Sequence, residues 1–387
     1  MIAVLRHKGY TCCMSPTRPP SDASSQAPVE TWIGHALMTG FPGFIAGRLL
    51  ARLAREGEAF TLLVEERFEE KARAEADRIA DLAGVPRERF TVTAGDITLP
   101  GLGLGPATAE RLRGEVTHLF HLAAIYDLAV PAALAEKVNV AGTENVNAFA
   151  AGLEKLERYS YVSTYAVAGK RRGIIREAEL EHDAGFNNHY EETKYRAEVA
   201  VRRDRDAEGL PVSIFRPGVV VGSSKDGSTA KFDGPYMLLK VMRRLPWPLS
   251  RFNVGDPQVR FQMVPVDFII EAIARISAMP EAAGKTFHLT DPAPYTTAEI
   301  FDLFSRALYD ARSWVRLPTF LTGMVTASGL GEPLGLQRQA APYFFHQARF
   351  DCVNTLDALD GTGVAVPRLP TYVDRLVAYF LQHVDDA

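Results

Sequence analysis

Ala36-Leu37-Met38-Thr39-Gly40-Phe41-Pro42-Gly43-Phe44-Ile45-Ala46-Gly47 runs from a short apolar segment through a glycine turn into a helical pattern. Ala36–Thr39 reads as a buried strand, and the spacing from Phe44 to Arg55 predicts an amphipathic helix. Gly40 permits the tight turn between them, Gly43 lets the backbone approach a ligand, and Ala46 allows the helix to pack closely on the strand. A helix N-terminus presents unpaired N–H groups and partial positive charge, so strand, turn and helix in this order point to the pyrophosphate of a dinucleotide. The candidate cofactor contacts in the turn are Gly40, Phe41, Gly43, Phe44 and Ile45.

Outward from the turn, strand and helix patterns alternate, the signature of a parallel sheet covered on both faces. Phe60–Val64, Phe90–Ala94, Val116–Leu122, Tyr159–Ser163 and Val212–Arg216 read as strands. Glu69–Ala83 reads as a charged surface helix, and a further helix is expected through Val138–Ala151. The predicted fold class is α/β, a Rossmann-type doubly wound parallel sheet with a smaller, mostly helical C-terminal substrate lobe.

Residues 1–30 are expected to be a disordered leader, because Pro16, Pro19, Pro20 and Pro28 lie among Ser, Thr and Ala. Residues 31–290 form the expected dinucleotide-binding domain, with a substrate-lobe insertion at about 222–262 where Pro235, Pro246, Pro248 and Pro257 break the chain. The helix Val266–Ser277 and the strand Thr286–Leu289 return to that domain, and 291–387 supplies the C-terminal lobe.

The second strand ends at Leu62-Leu63-Val64-Glu65, where a carboxylate hydrogen-bonds the adenosine ribose hydroxyls of NAD and repels the extra phosphate of NADP. Arg67, two residues on, can instead turn toward a 2′-phosphate, and a Glu-Glu-Arg run is also an ordinary solvated surface. The cofactor is therefore NAD or NADP, with a slight preference for NAD from Glu65.

Tyr190-Glu191-Glu192-Thr193-Lys194 begins a helix expected to run to about Asp204 and places a phenol and an ammonium one turn apart on the same face. A tyrosine with a pKa of about 10 is a poor acid-base catalyst at neutral pH, and a fixed ammonium beside it favours the phenolate. Tyr and Lys at this spacing also occur on ordinary helix faces. The companion is Tyr161-Val162-Ser163-Thr164, which brings a hydroxyl to the carboxyl edge of the sheet, where open α/β folds bind ligands.

Taken together, these residues resemble the extended short-chain dehydrogenase/reductase family. The resemblance extends through Asp96-Ile97, His121-Leu122-Ala123-Ala124, Asn139-Val140-Ala141-Gly142-Thr143, Ser163-Thr164, Tyr190–Lys194, Arg216-Pro217-Gly218 and Val266-Asp267, in the family's order over roughly residues 36–290. It implies that Thr164 rather than Ser163 hydrogen-bonds the substrate oxygen, that Tyr190 is the proton donor, and that Lys194 tunes Tyr190 and holds the nicotinamide ribose. It also implies that Asp96 and Ile97 lie beside adenine, that Ala123, Ala124, Pro217 and Val219 line the cofactor cleft, and that Asn139 has a structural, helix-ordering role.

Within that family, Gly95–Leu104 and Phe186-Asn187-Asn188-His189-Tyr190 resemble the fatty acyl-CoA reductase and thioester-reductase branch. This implies hydride reduction of an apolar acyl thioester or aldehyde-like substrate, carried as a coenzyme A ester or on a separate carrier protein. Such enzymes usually favour NADPH through a basic residue where this chain has Glu65. Three other readings stand beside it: a sterol or lipid hydroxyl dehydrogenase or ketoreductase, a nucleotide-sugar epimerase or dehydratase, and a dinucleotide-binding sensor without catalysis. Arg216, Arg243, Arg244 and Arg251 are the cations a second diphosphate would need, whereas Tyr236, Met237, Leu238, Leu239, Phe252 and Phe261 favour an apolar substrate. A sensor would typically lack the Tyr or the Lys.

The remaining composition excludes more than it assigns. With 387 residues, 47% of them hydrophobic, and a net charge of -4 without a basic tract, nucleic acid is not an expected partner. Cys12, Cys13 and Cys352 match neither a disulfide framework nor a metal site, so a cytoplasmic location and no metal are expected. No run reaches the roughly 18–20 apolar residues of a membrane span. Tyr236–Leu249 and Phe320–Leu336 are candidates for peripheral membrane contact or for ordinary lobe segments, and a homodimer remains open.

Overall fold

The computed structural model describes residues 34–245, 252–253, 256–313, 315–316 and 342–385, so the expected leader 1–30 lies outside them. The chain enters on β1 (His35–Thr39), turns at Gly40–Gly43 and continues as α1 (Phe44–Leu53). β2 (Ala59–Val64), α2 (Glu69–Ala83), β3 (Phe90–Ala94), α3 (Pro106–Glu115) and β4 (Val116–His121) follow. The sequence pattern leaves α3 unassigned because only Ala109 and Leu112 are buried along it, too few to make an apolar stripe. Where one helix through Val138–Ala151 is predicted, α4 (Ala132–Ala135) passes through a π-helical stretch, Glu136–Ala141, into α5 (Gly142–Ala151).

β5 (Arg158–Val162) and the short β6 (Gly173–Ile175) lead to the long helix α6 (His189–Glu208). β7 (Val212–Pro217), β8 (Val219–Val221), α7 (Tyr236–Arg244), β9 (Phe252–Asn253), β10 (Met263–Pro265), α8 (Val266–Ser277) and β11 (Thr286–Leu289) come next. The described chain ends with α9 (Thr297–Tyr309), β12 (Val315–Arg316), β13 (Ala348–Phe350), α10 (Val353–Leu359) and α11 (Val373–His383).

The seven-stranded sheet has the order β11-β7-β5-β4-β1-β2-β3, with every pair parallel. Apart from the edge strand β3, where Thr91 and Ala94 are exposed, its strands are buried on both faces, which is why they read as apolar runs rather than as alternating ones. One core packs Leu49 and Leu50 of α1 and Ile269 and Ile273 of α8 against Met38, Phe120 and Phe215. The opposite core packs Leu112, Val146, Ala197 and Val201 against Leu37, Leu119, Tyr159 and Tyr161. After β3 the chain crosses back to the other side of β1, so the order reverses between β1 and β4. A crevice opens outside the carboxyl ends of the strands at such a reversal.

A third core joins Val221, Phe232, Tyr236 and Leu239 to Phe301, Phe304, Phe344, Leu376 and Phe380 and forms the lobe. Leu359 instead joins the core of the main sheet, and β13 pairs with β6, so the stretch after residue 342 is divided between lobe and main domain. Along α7 the residues Tyr236, Met237, Leu238, Leu239, Val241 and Met242 are buried, so its apolar face covers the lobe core. Trp247 and Phe320–Leu336, the other parts of the candidate membrane-contact segments, lie outside the described residues.

The turn after β1 is where backbones come closest. Gly40 has φ of 88°, and a Cβ there would lie 2.7 Å from the Ala123 nitrogen and 2.8 Å from the Leu122 carbonyl carbon. Gly40→Ala therefore combines a left-handed backbone with a main-chain clash. It is expected to lower stability by roughly 1–3 kcal/mol in a denaturant titration and to weaken dinucleotide binding by more than the stability loss explains.

Candidate active site

The crevice between β1 and β4 is held by a chain of buried hydrogen bonds. Thr143 donates to the Asn139 carbonyl at 2.7 Å, so its oxygen accepts from His121 Nε2 at 3.1 Å. That leaves His121 Nδ1 to accept from the Thr39 hydroxyl at 2.7 Å, and the Thr39 oxygen accepts from the Ala123 N–H at 3.2 Å. The pattern of partners assigns the imidazole proton to Nε2. Burial pushes the His121 pKa down to about 3, with Lys194 adding to the effect, so the ring is a neutral strut.

The chain of bonds continues to α6. Asn139 accepts from Ile125 N at 2.9 Å and donates to Thr193 Oγ1 at 3.1 Å, and Thr193 donates to the His189 carbonyl at 2.7 Å. The π-helical stretch carries Asn139 into this position. Its side chain thus ties the loop after β4 to the first turn of α6.

The opening of α6 is set by Asn188, whose side chain accepts from the Glu191 N–H at 3.0 Å. An Asn three residues before a Glu is a helix-start signature legible in the sequence. Tyr190 is 7% exposed, packs with Val130 and Ala135, and meets the Tyr126 ring edge-on at 5.1 Å. Thr164 caps the 3-10 turn Tyr165–Ala168 by accepting from Ala166 N at 3.2 Å. Its hydroxyl also serves Tyr190 as a hydrogen-bond partner that favours the phenolate.

Lys194, 3% exposed, donates to the Val162 carbonyl at 2.9 Å and to the Tyr161 hydroxyl at 3.1 Å, with its ammonium 4.6 Å from the Tyr161 ring centroid. The ammonium is turned to the end of β5, and burial pushes Tyr190 up to about 12, with Thr164 opposing and Glu191 adding to the rise. Burial brings Lys194 itself down to about 8, against the pull of Glu198.

Ser163 is separated from Thr164 by its partner. It donates to Glu198 Oε2 at 2.7 Å, and that fully buried carboxylate also takes two bonds from Arg216, at 3.0 and 2.6 Å. Arg216, 1% exposed, has its remaining nitrogen contacts at the Glu179 and Glu177 carbonyls and His288. Arg216 is thus committed to Glu198, and swinging it out toward a second diphosphate would leave that buried carboxylate with Arg202 as its remaining cation. Arg243 is ion-paired with Asp385 at 2.8 Å, and Arg251 lies outside the described residues.

The remaining candidate cofactor residues ring the carboxyl edge. Gly43 has no side chain to oppose a ligand, since a Cβ there would meet the Gly40 carbonyl at 2.6 Å. No side chain caps the N-terminus of α1, which leaves its first N–H groups to an anion, and the turn thus fits a pyrophosphate. Phe41 is buried, and Phe44 and Ile45 pack partly on the same core. Glu65 and Arg67 form an exposed ion pair at 2.9 Å just beyond β2, a bond weak enough for either partner to be redirected. Asp96 caps its own turn through Thr98 N at 2.8 Å, while Ile97 packs against Gly142 and offers its carbonyl to Asn145 at 2.8 Å. Ala123 and the exposed Ala124 follow β4, and Pro217 and Val219 stand at the carboxyl end of β7 and the start of β8. A separate concavity on the outer side of α5 and α6, lined by Val140, Glu144, His182, Tyr195 and Arg203, holds none of these residues. Among the described residues there is no cluster of metal-binding side chains and no helix long and apolar enough to cross a membrane.

Residues 38–273, more than half of the chain, match the family model described as Male sterility protein. The chain belongs to this family. With the family comes the enzyme class, an NAD(P)-dependent oxidoreductase of the extended short-chain dehydrogenase/reductase type. Among curated relatives, a non-canonical nonribosomal peptide synthetase, FrzA, from a Cladobotryum species is 28% identical over 67% of this chain and 26% of its own length. The fatty acyl-CoA reductase wat of Drosophila melanogaster is 26% identical over 65% of this chain and 56% of its own length. The chain thus spans about a quarter of the first of these relatives and about half of the second. Among solved structures, the terminal R domain from the myxalamid PKS-NRPS biosynthetic pathway superposes with a TM-score of 0.77 at 26% identity, covering 91% of each chain.

The buried Glu198–Arg216 pair carries the packing between α6 and β7. Arg216→Met is expected to cost roughly 3–5 kcal/mol in chemical denaturation, because it leaves a buried carboxylate short of its main partner.

Proposed function

We propose that this chain reduces an apolar acyl thioester, presented as a coenzyme A ester or on a separate carrier protein, to an aldehyde at the expense of NADH or NADPH. The observation that carries the reading is the buried Tyr190 phenol beside the Thr164 hydroxyl at the carboxyl edge of the sheet, where burial favours its protonated form. With its pyrophosphate at the glycine turn and its nicotinamide ribose at Lys194, a reduced dinucleotide would supply the hydride to the thioester carbonyl, and the hemithioacetal would release aldehyde and free thiol.

In this proposal the chain's residues polarise the carbonyl and deliver the proton. The Thr164 and Tyr190 hydroxyls hydrogen-bond the carbonyl oxygen, and Tyr190 gives up its proton as negative charge develops there. Lys194, one turn along α6 and anchored on the Val162 carbonyl, is placed to hold the nicotinamide ribose. The fatty acyl-CoA reductase among the relatives supports an acyl substrate. The synthetase relative supports delivery on a carrier protein. The commitment of Arg216 to Glu198 weighs against a nucleotide-sugar substrate. Glu65 favours NAD, and its pairing with Arg67 leaves NADP as the alternative.

Following NADH and NADPH oxidation over a panel of acyl-CoA esters, long-chain aldehydes, ketosteroids and sugar nucleotides tests the assignment. Turnover with acyl-CoA esters is the expected result, and turnover with sugar nucleotides alone would refute it. Tyr190→Phe should lower kcat by about 10²–10⁴-fold while dinucleotide binding, read by fluorescence, is kept. The protonation of Tyr190 also has a direction. Reduction uses the phenol and is already supplied with it at neutral pH, whereas the reverse oxidation needs phenolate. With the phenol held up at about 12, the rate of alcohol or aldehyde oxidation should climb steadily from neutral into alkaline solution while the reduction rate does not. An oxidation rate flat over that range would remove Tyr190 as the titrating group.

A further inference from the structure

Glu191 follows Tyr190 in the chain, is 1% exposed, and among the described residues has no cationic side chain paired with it. A buried carboxylate without a counter-ion is costly unless hydrogen bonds replace its water. The backbone N–H of Asn187 donates to it at 2.7 Å, the Asn187 side chain donates at 3.1 Å, and the hydroxyl of Tyr343 donates at 2.5 Å. Tyr343 also accepts from the Asn188 side-chain amide at 3.1 Å. One phenol from the far end of the chain thus bridges the cap residue of α6 and the residue beside Tyr190.

Tyr343 sits on a segment fastened along the same edge of the site. Phe344 is buried in the lobe core and its carbonyl takes the Asp256 N–H at 3.1 Å. His346 bonds the Arg171 carbonyl at 2.6 Å, and β13 pairs with β6. Phe350 meets the ring of Tyr165 edge-on at 5.2 Å, and Tyr165 is the neighbour of Thr164. The segment therefore touches the residue next to each of the two hydroxyls that are to hold the substrate oxygen.

We propose that Tyr343 is a positioning residue: through its bonds to Glu191 and Asn188, the docked C-terminal segment fixes the first turn of α6 and with it the direction of the Tyr190 hydroxyl. The proposal rests on the reading of Tyr190 as the proton donor. A phenol misdirected by a fraction of an ångström still occupies its place in the fold but no longer meets the substrate oxygen. A residue that only stabilised the lobe would lower the melting temperature and leave turnover intact, and this difference separates the two roles.

Tyr343→Phe keeps the ring and removes the bridge, Glu191→Gln keeps the shape and removes the carboxylate, and the double variant combines them. Each single change is expected to lower kcat about tenfold, with the KM for the dinucleotide unchanged. If Tyr343 acts through Glu191, the double variant is no slower than the slower single one. Wild-type kcat in Tyr343→Phe, a loss of melting temperature without loss of kcat, or losses that multiply in the double variant would each overturn the proposal. Tyr190→Phe run alongside distinguishes the two layers. Full turnover in that variant sinks the proton-donor assignment, whereas an inactive Tyr190→Phe beside a fully active Tyr343→Phe sinks the positioning role alone.

Discussion

The structure depends on one constraint above others: α6 buries a phenol, two carboxylates and an ammonium, and each must find its partner within the protein. Tyr190, Glu191, Lys194 and Glu198 are all less than a tenth exposed. Burying such groups without partners would cost more than a domain's whole stability. Their partners come from different directions. The end of β5 supplies Thr164, the Val162 carbonyl and Tyr161, β7 supplies Arg216, and the C-terminal segment supplies Tyr343. The helix can hold its place only when the sheet and the lobe are both assembled around it.

The same arrangement separates the roles of neighbouring residues. Ser163 and Thr164 are adjacent hydroxyls, yet one is tied to Glu198 and the other faces Tyr190. Tyr190 and Lys194 lie one turn apart, yet the ammonium is held by the end of β5 rather than by the phenol. Low dielectric and fixed partners, more than residue type, decide which group can exchange a proton. The neutral His121 strut and Asn139 link the glycine turn to the head of α6, so the two are joined by one continuous set of bonds.

Much of this was legible in the chain. The strands Phe90–Ala94 and Thr286–Leu289 and the helices Glu69–Ala83, closed by the left-handed Gly84, and Val266–Ser277 have the bounds that the sequence pattern predicts, because local pattern and breaker residues set them. The weakly patterned α3 and the π-helical stretch were not, since few of the residues in the first are buried and the second differs from an α-helix only in hydrogen-bond register. Arg216 read as a cation available to a ligand because its sequence neighbours say nothing about Glu198, eighteen residues away on another element.

By itself, then, the sequence determined the order of strands and helices, the glycine turn, and the presence of Thr164, Tyr190 and Lys194 at the sheet's carboxyl edge. Those follow from local periodicity, from the backbone freedom of Gly40, and from spacing along single elements. Only the tertiary structure decided that burial raises the pKa of Tyr190, that Lys194 faces Val162, that Ser163 and Arg216 belong to Glu198, and that Tyr343 reaches the head of α6. The physical reason is that protonation and hydrogen-bond partnership depend on burial and on groups brought from distant parts of the chain, and neither is written in the spacing of any one element.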